Sequence, residues 1–349
     1  MRIEHEIRPG GEWDEFAESQ SEARLGHASA WSSVLEEAYG LDPHYLCARD
    51  DHGSLRGILP LVVFRSRPAG PRRLISLPYL DGSGILALDA ETAEQLLEHA
   101  LQLVVSGGFD SLELRSASGG PGQAKAPELM DRVNLALRLE EGPEAQWQAL
   151  RAKVRNQTRK AGREGLELVV DETPALLDHF YEPFRVNMRD LGSPVHARAF
   201  FQSAARHLGD RLRFIVTRDR DRPVGGLVAI RFGNRVSVPW ASTLRSERKR
   251  CPNNQIYWEA MKWAIEIGAT TFDFGRSPRD AGTYRFKKGW GALEEPLDWR
   301  RFDSEGSSLP PPLAAAPSPV LERLSRFWTR LPVPIASMLG ARIRRYFSN

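Results

Sequence analysis

The sequence predicts a mixed α/β protein of two domains with similar plans. Three observations carry this. The chain has 349 residues, about twice the length of a common domain. Strand-length apolar runs and amphipathic helical stripes are interspersed along both halves. The order of elements also recurs: a helix, a hairpin whose second strand contains glycine, a strand, a helix and a strand. This duplication is one of pattern, without a residue-level repeat.

His27–Gly40 places Trp31, Val34, Leu35 and Ala38 at helical spacing, and Gly40 closes the helix. Tyr45–Arg49 and Gly57–Phe64 read as strands joined by an Asp-Asp-His-Gly turn. Arg73–Pro78 and Ile85–Ala87 are short strands around Gly82-Ser83-Gly84. Glu91–Ser106 carries a stripe of Leu96, Leu97, Ala100, Leu103 and Val104 and reads as a helix, with Ser111–Arg115 as the next strand. Ser116–Lys125, rich in Gly, Pro and Ser, is a connection near a domain edge.

In the second half Glu144–Gly165 reads as one helix, followed by a strand at Leu166–Val170 and helices at Pro174–Leu191 and His196–Leu208. Leu212–Thr217 and Pro223–Phe232 form a hairpin, and Arg235–Ala241 is its neighbouring strand. Asn253–Gly268 is a helix, followed by strands at Thr271–Gly275 and Leu297–Phe302. The domains are therefore expected at 1–143 and 144–303, with the strand at 294–302 able to return to the first. Ser304–Pro319 reads as a Ser/Pro/Ala linker. Beyond it, Leu321, Leu324, Phe327, Trp328 and Leu331 share one helical face, and Ile335, Met338, Leu339 and Ile343 share another. Six arginines stand among them against the single acid Glu322. Residues 320–347 are thus either a tail packed on the protein body or a peripheral contact with the inner membrane surface.

Net charge is only +3, so any polyanion binding must come from local clusters. The two cysteines, Cys47 and Cys251, have no metal or disulfide spacing and suit a reducing cytoplasm. The N-terminus lacks an apolar signal core, and no run is long enough to span a membrane. No P-loop, HExxH, GxSxG or GxGxxG occurs, and no metal ligand set is expected.

Local chemistry concentrates in three places. FDFGRSPRDAGTYRFKKGWG, Phe272–Gly291, crowds Arg276, Arg279, Arg285, Lys287 and Lys288 among aromatics just after a strand. It is either a solvated loop or a pocket wall that holds negative charge. Arg151, Arg155 and Arg159 are four residues apart on one helix face; like charges there repel by a few tenths of a kcal/mol per pair and favour a polyanion. In Asn187–His196, Arg189 and Asp190 fall in the last turn of a helix that Leu191-Gly192 closes. His196 stands at the start of the next helix, where it is either a structural residue or a substrate contact.

Several strings together resemble the FemAB-type peptidoglycan-bridge aminoacyltransferases of the GNAT acyltransferase superfamily. They are W-x6-VRN-x2-RKA-x3-GL (Trp147–Leu166), FYEPFRVNMRDLGSPVH, NNQIYWEAMKWAIEIGA with FDFGRS, and FKKGWG. More narrowly, the chain is similar to FemAB-like proteins with GNAT-type or BioF2-like domains found beside exopolysaccharide and protein-sorting (PEP-CTERM) systems. The resemblance spans about Arg24–Phe302. It implies two tandem GNAT-like domains, each a twisted mixed sheet flanked by helices, with the active site in the cleft between them. It implies transfer of an acyl or aminoacyl group to an amine of an anionic peptidoglycan or exopolysaccharide precursor. Lys287 occupies the family's transition-state position, and Arg189 matches an arginine associated with acceptor phosphates, although Leu191-Gly192 replaces the usual glycine-aromatic pair.

Asp273 is a candidate base by position at the end of its strand. Asp190, His196, Arg155, Asn156, Arg159, Trp240, Arg276, Tyr284 and Trp290 complete the substrate-side candidates. No tightly bound cofactor is expected; the donor is either aminoacyl-tRNA or acyl-CoA. RSERKRCPNNQIYW (Arg245–Trp258) lacks the glycines of a CoA pyrophosphate turn, and Pro252 removes one N–H donor. The rivals to an envelope aminoacyltransferase are an acyl-CoA-dependent N-acetyltransferase, a non-catalytic assembly factor for polysaccharide export and a plain RNA-binding protein.

Overall fold

A computed structural model describes residues 1–117, 132–171, 174–310 and 319–348. The Gly/Pro/Ser-rich stretch from 118 and the Pro-rich stretch 311–318 lie outside these. Contacts divide the chain into two units: 1–134 with 295–316 and 345–349, and 135–294 with 317–344.

The first unit opens with β1 (Arg2–Glu6), α1 (Gly11–Glu18) and α2 (Trp31–Tyr39). Next come β2 (Tyr45–Arg49), β3 (Leu55–Leu59), β4 (Val62–Arg65), β5 (Arg72–Ile75) and β6 (Leu86–Ala87). The helix α3 (Ala90–Ser106) then leads into β7 (Ser111–Ala117). The run read as one strand from Gly57 is two, because Pro60 interrupts the ladder of amide donors. β3 joins a sheet of order β1-β2-β3-β6, whereas β4 joins β16-β15-β7-β5-β4. Asp89 caps α3 by accepting from the Thr92 amide at 2.7 Å. The α3 stripe packs with Leu46, Leu59, Leu74 and Leu112 in one core.

β8 (Arg132–Arg138) leads into the second unit, which holds α4 (Pro143–Ala149), α5 (Ala152–Arg163), β9 (Leu166–Asp171), α6 (Leu177–Asp190) and α7 (Arg198–Leu208). β10 (Leu212–Asp219), β11 (Arg222–Phe232) and β12 (Arg235–Thr243) form an antiparallel meander. After it come α8 (Pro252–Glu266), β13 (Thr271–Pro278), α9 (Gly282–Gly289) and β14 (Leu293–Glu295). The seven strands have the order β14-β8-β13-β12-β11-β10-β9.

β15 (Leu297–Asp303) belongs to the first unit and pairs antiparallel with β7. Its Trp299 carries the buried Arg115 guanidinium 4.3 Å above its ring. Arg115 in turn donates to Glu113. β16 (Ser308–Leu309), α10 (Pro319–Trp328) and α11 (Val333–Ile343) complete the chain.

The duplicated pattern has a structural counterpart. β5 and β7 are parallel with α3 between them in sequence, as β12 and β13 are with α8. Three helical expectations are corrected. The expected helix Glu144–Gly165 breaks at Leu150 and Arg151, whose ψ angles of 143° and 141° are extended. Arg155 turns back there and donates to the carbonyls of Gln148 and Leu150, satisfying acceptors that the end of α4 leaves unpaired. α7 begins at Arg198, so His196 precedes it. Gly282–Gly289 is helical, where a loop or pocket wall was expected.

Candidate active site

β12 and β13 pair in parallel only from Arg235 to Ser237 and from Thr271 to Asp273. Beyond those rungs β12 continues to Thr243 along β11, and β13 continues to Pro278. The separation is marked by Gly275, whose φ of +73° is the left-handed region that favours glycine. Its amide donates to Asp273 Oδ1 at 2.8 Å. Its carbonyl accepts from Lys287 Nζ at 2.9 Å, and so does the carbonyl of Arg276.

Lys287 reaches this point because α9 is fixed by aromatics. Phe286 meets Tyr257 edge-on at 5.2 Å, and Tyr257 stacks on Phe274 at 5.5 Å. The buried Trp290 packs beside Phe274 and Phe286. Lys287 is 7% exposed. Its ammonium is thus held on two carbonyls of β13 and largely covered from water, where a charge acts more strongly than in bulk solvent.

The other expected residues fall into separate places. Asp273 is buried, with Oδ2 accepting from Arg235 Nη1 at 3.1 Å and Oδ1 taken by Gly275. Oδ2 therefore ties β13 to β12, and Oδ1 holds the bend at Gly275 within β13. Tyr284 donates to Glu294, which also accepts from Arg279 at 3.0 Å. That hydrogen bond raises the Tyr284 phenol and lowers the Glu294 carboxyl. Arg276 is half-buried beside Lys287's second acceptor.

Arg189 pairs with Asp190 at 2.8 Å and donates to the Leu331 carbonyl at 3.2 Å. His196 lies in the core with Phe200, Phe201 and Trp240 around it. Its Nε2 accepts from Arg344 Nε at 3.2 Å. Burial first, and the Arg344 charge second, push His196 well below the usual histidine range. In this arrangement Arg189 and His196 join the tail to the body, with Trp240 packed edge-on against His196, an environment different from the helix start expected for His196. Asn156 and Arg159 are exposed on α5, with the Arg159 guanidinium 5.0 Å above Trp147.

Sequence reasoning missed Asn187, whose Nδ2 donates to Ser242 Oγ at 3.1 Å near the end of β12. It also missed Ser277, buried near the end of β13. Neither has a local sequence signal: pairing across 55 positions is visible only once the sheet is built. α5 packs on α8, and Arg250 joins the turn before α8 to α5 by donating to the Glu164 carbonyl at 2.7 Å. Arg245, Arg248 and Lys249 in that turn are exposed. Cys251, with φ +61°, and Pro252 then open α8. Among the described residues no group of His, Cys, Asp and Glu could hold a metal.

Residues 148–288 match the acetyltransferase (GNAT) domain. The chain carries a GNAT acetyltransferase domain within a FemAB-like fold. It is an acyltransferase.

The solved structure of FemX shares 14% identity, with 86% of this chain and 96% of that one covered and a TM-score of 0.67. A tandem GNAT protein from the clavulanic acid biosynthesis pathway shares 14%, covering 88% and 99%, at a TM-score of 0.53. L-PGS from Bacillus licheniformis shares 12%, covering 93% and 98%, at 0.52. At such identities the likeness is one of fold. No curated protein matches the chain. The GNAT domain includes α5, the separating strands and Lys287.

Proposed function

We propose that the chain transfers an acyl or aminoacyl group to an amine of an anionic peptidoglycan or exopolysaccharide precursor, on the cytoplasmic side of the envelope. The observation that carries this reading is the buried ammonium of Lys287, fixed by the Gly275 and Arg276 carbonyls where β12 and β13 part. The acceptor amine attacks the donor carbonyl carbon and forms a C–N bond. The carbonyl oxygen gains negative charge, which Lys287 stabilises. Collapse of the intermediate breaks the donor's C–O or C–S bond, and the leaving oxygen or sulfur takes up the proton that the amine gives away. A positioned donor to an oxyanion contributes about 3 kcal/mol.

The donor follows from the turn before α8. Arg245, Arg248 and Lys249 present charge without glycine, and Pro252 has no amide hydrogen to offer a pyrophosphate. With Asn156 and Arg159 on α5, this surface favours aminoacyl-tRNA, whose backbone spreads charge over a longer path. The acetyltransferase family match favours acyl-CoA as the second reading.

The test compares thermal stabilisation by charged tRNA and by acetyl-CoA, alongside mass spectrometry of envelope precursors from cells with and without the protein. Precursors lacking one acyl or aminoacyl mass in the deleted strain support the assignment. Identical precursors in both strains reject it. An assembly factor would function in cells with Lys287→Ala, whereas an enzyme would not.

A further inference from the structure

The C-terminal helices are attached with Leu324, Phe327, Ile335, Met338 and Leu339 facing outward. On α11 the small residues face the body: Ala336 and Gly340 are buried, and a Cβ on Gly340 would lie 2.8 Å from the Val195 amide nitrogen. The opposite stripe holds Ile335, Met338, Leu339 and Arg342, spaced three, four and seven residues from the first, and all are exposed. On α10, Leu324 and Phe327 are 58% and 61% exposed. Leu191 is exposed next to Gly192, which abuts Ser325. The Arg189 and Arg344 hydrogen bonds described above keep this orientation. Exposed Arg323, Arg326, Arg330 and Arg342 lie among these residues, with Glu322 the one acid from Pro319 to Ile343.

We propose that this face docks on an anionic lipid membrane, with α10 and α11 lying in the plane of the surface. Charge complementarity selects the occupant. A second copy related by a two-fold axis would bring arginine against arginine, whereas anionic headgroups neutralise them while the acyl region takes the apolar side chains. Among the described residues no helix is long and apolar enough to cross a membrane, which fits attachment in the plane. The proposal rests on the tail alone and stands apart from the acyl-transfer reading.

The full chain is to be sedimented with vesicles of phosphatidylcholine alone and of phosphatidylcholine with about a third phosphatidylglycerol. Binding to the anionic vesicles should be at least ~10-fold tighter and should weaken with added salt. L324S/F327S and I335S/M338S should each lower that affinity about tenfold or more, since the lost side chains are the inserted ones. R323Q/R326Q/R330Q should erase the preference for anionic vesicles. The serine variants should leave transfer to a water-soluble amine unchanged, which separates docking from catalysis. Absence of binding, or equal binding to both vesicle types, would overturn the proposal. So would a concentration-dependent dimer in light scattering that the serine variants dissolve, because the occupant would then be a second copy.

Discussion

Gly275 links Asp273 on β13 to Lys287 on α9: its amide donates to the first and its carbonyl accepts from the second. The two side chains are expected to respond differently to substitution. Lys287→Ala should lower the transfer rate about 10²–10³-fold with little change in apparent substrate affinity, because it removes a charge needed when the oxyanion forms. Lys288→Ala, one residue on, is the control and should transfer at the parent rate in the same steady-state assay. Asp273→Asn should instead cost about 3 kcal/mol of stability in urea unfolding, since it removes the carboxylate facing the buried Arg235 guanidinium. If that variant lost transfer while keeping parent stability, Asp273 would be the base and not a clamp. The position of Lys287 was legible because a lysine crowded by Phe286 and Trp290 after a strand suggests a covered charge. Its partners were not, since backbone carbonyls leave no mark in side-chain identity. Arg155 illustrates the converse: its spacing suggested an outward basic stripe, yet the break at Leu150 turned it inward onto α4.

Helices and strands with strong periodicity were legible, including α3, α8 and the β10–β11 hairpin. Those defined by a cap or a break were less so. α9 spans eight residues with two glycines at its ends, too short for a stripe to emerge. β3 and β4 were merged because their apolar run passes through Pro60 without a change in hydrophobicity. Two substitutions probe elements directly. Asp89→Ala removes the acceptor for the Thr92 amide and should cost about 1 kcal/mol, read as a shift of the urea midpoint. Gly340→Val places a branched side chain against the Val195 backbone, which cannot yield as a flexible side chain would. It should detach α11 and make residues 330–345 sensitive to limited proteolysis, with the parent resistant under the same conditions.

Across the whole molecule, buried histidines set a pH dependence. His27 accepts from the Arg24 amide through Nδ1, so Nε2 carries the proton that faces the Gly84 carbonyl. Burial lowers it from 6.5 to about 4, and His196 moves in the same direction. Both are depressed in the folded state, so the unfolded chain takes up protons first. Stability is full above pH 6.5 and is lost as pH falls toward 4, by about 3 kcal/mol for His27 alone. Urea unfolding between pH 7 and 4 checks this, and a flat profile would exclude it. The two-part organisation was legible from length and recurring pattern. The return of β15 to β7 was legible only as an option, because an isolated strand does not name its partner.

That return orders events during synthesis. The segment 135–294 leaves the ribosome before β15 exists, so β7 waits with one edge open until Asp303 has emerged. A nascent chain stalled or cut before Leu297 would present that edge to any other strand nearby, the usual beginning of aggregation.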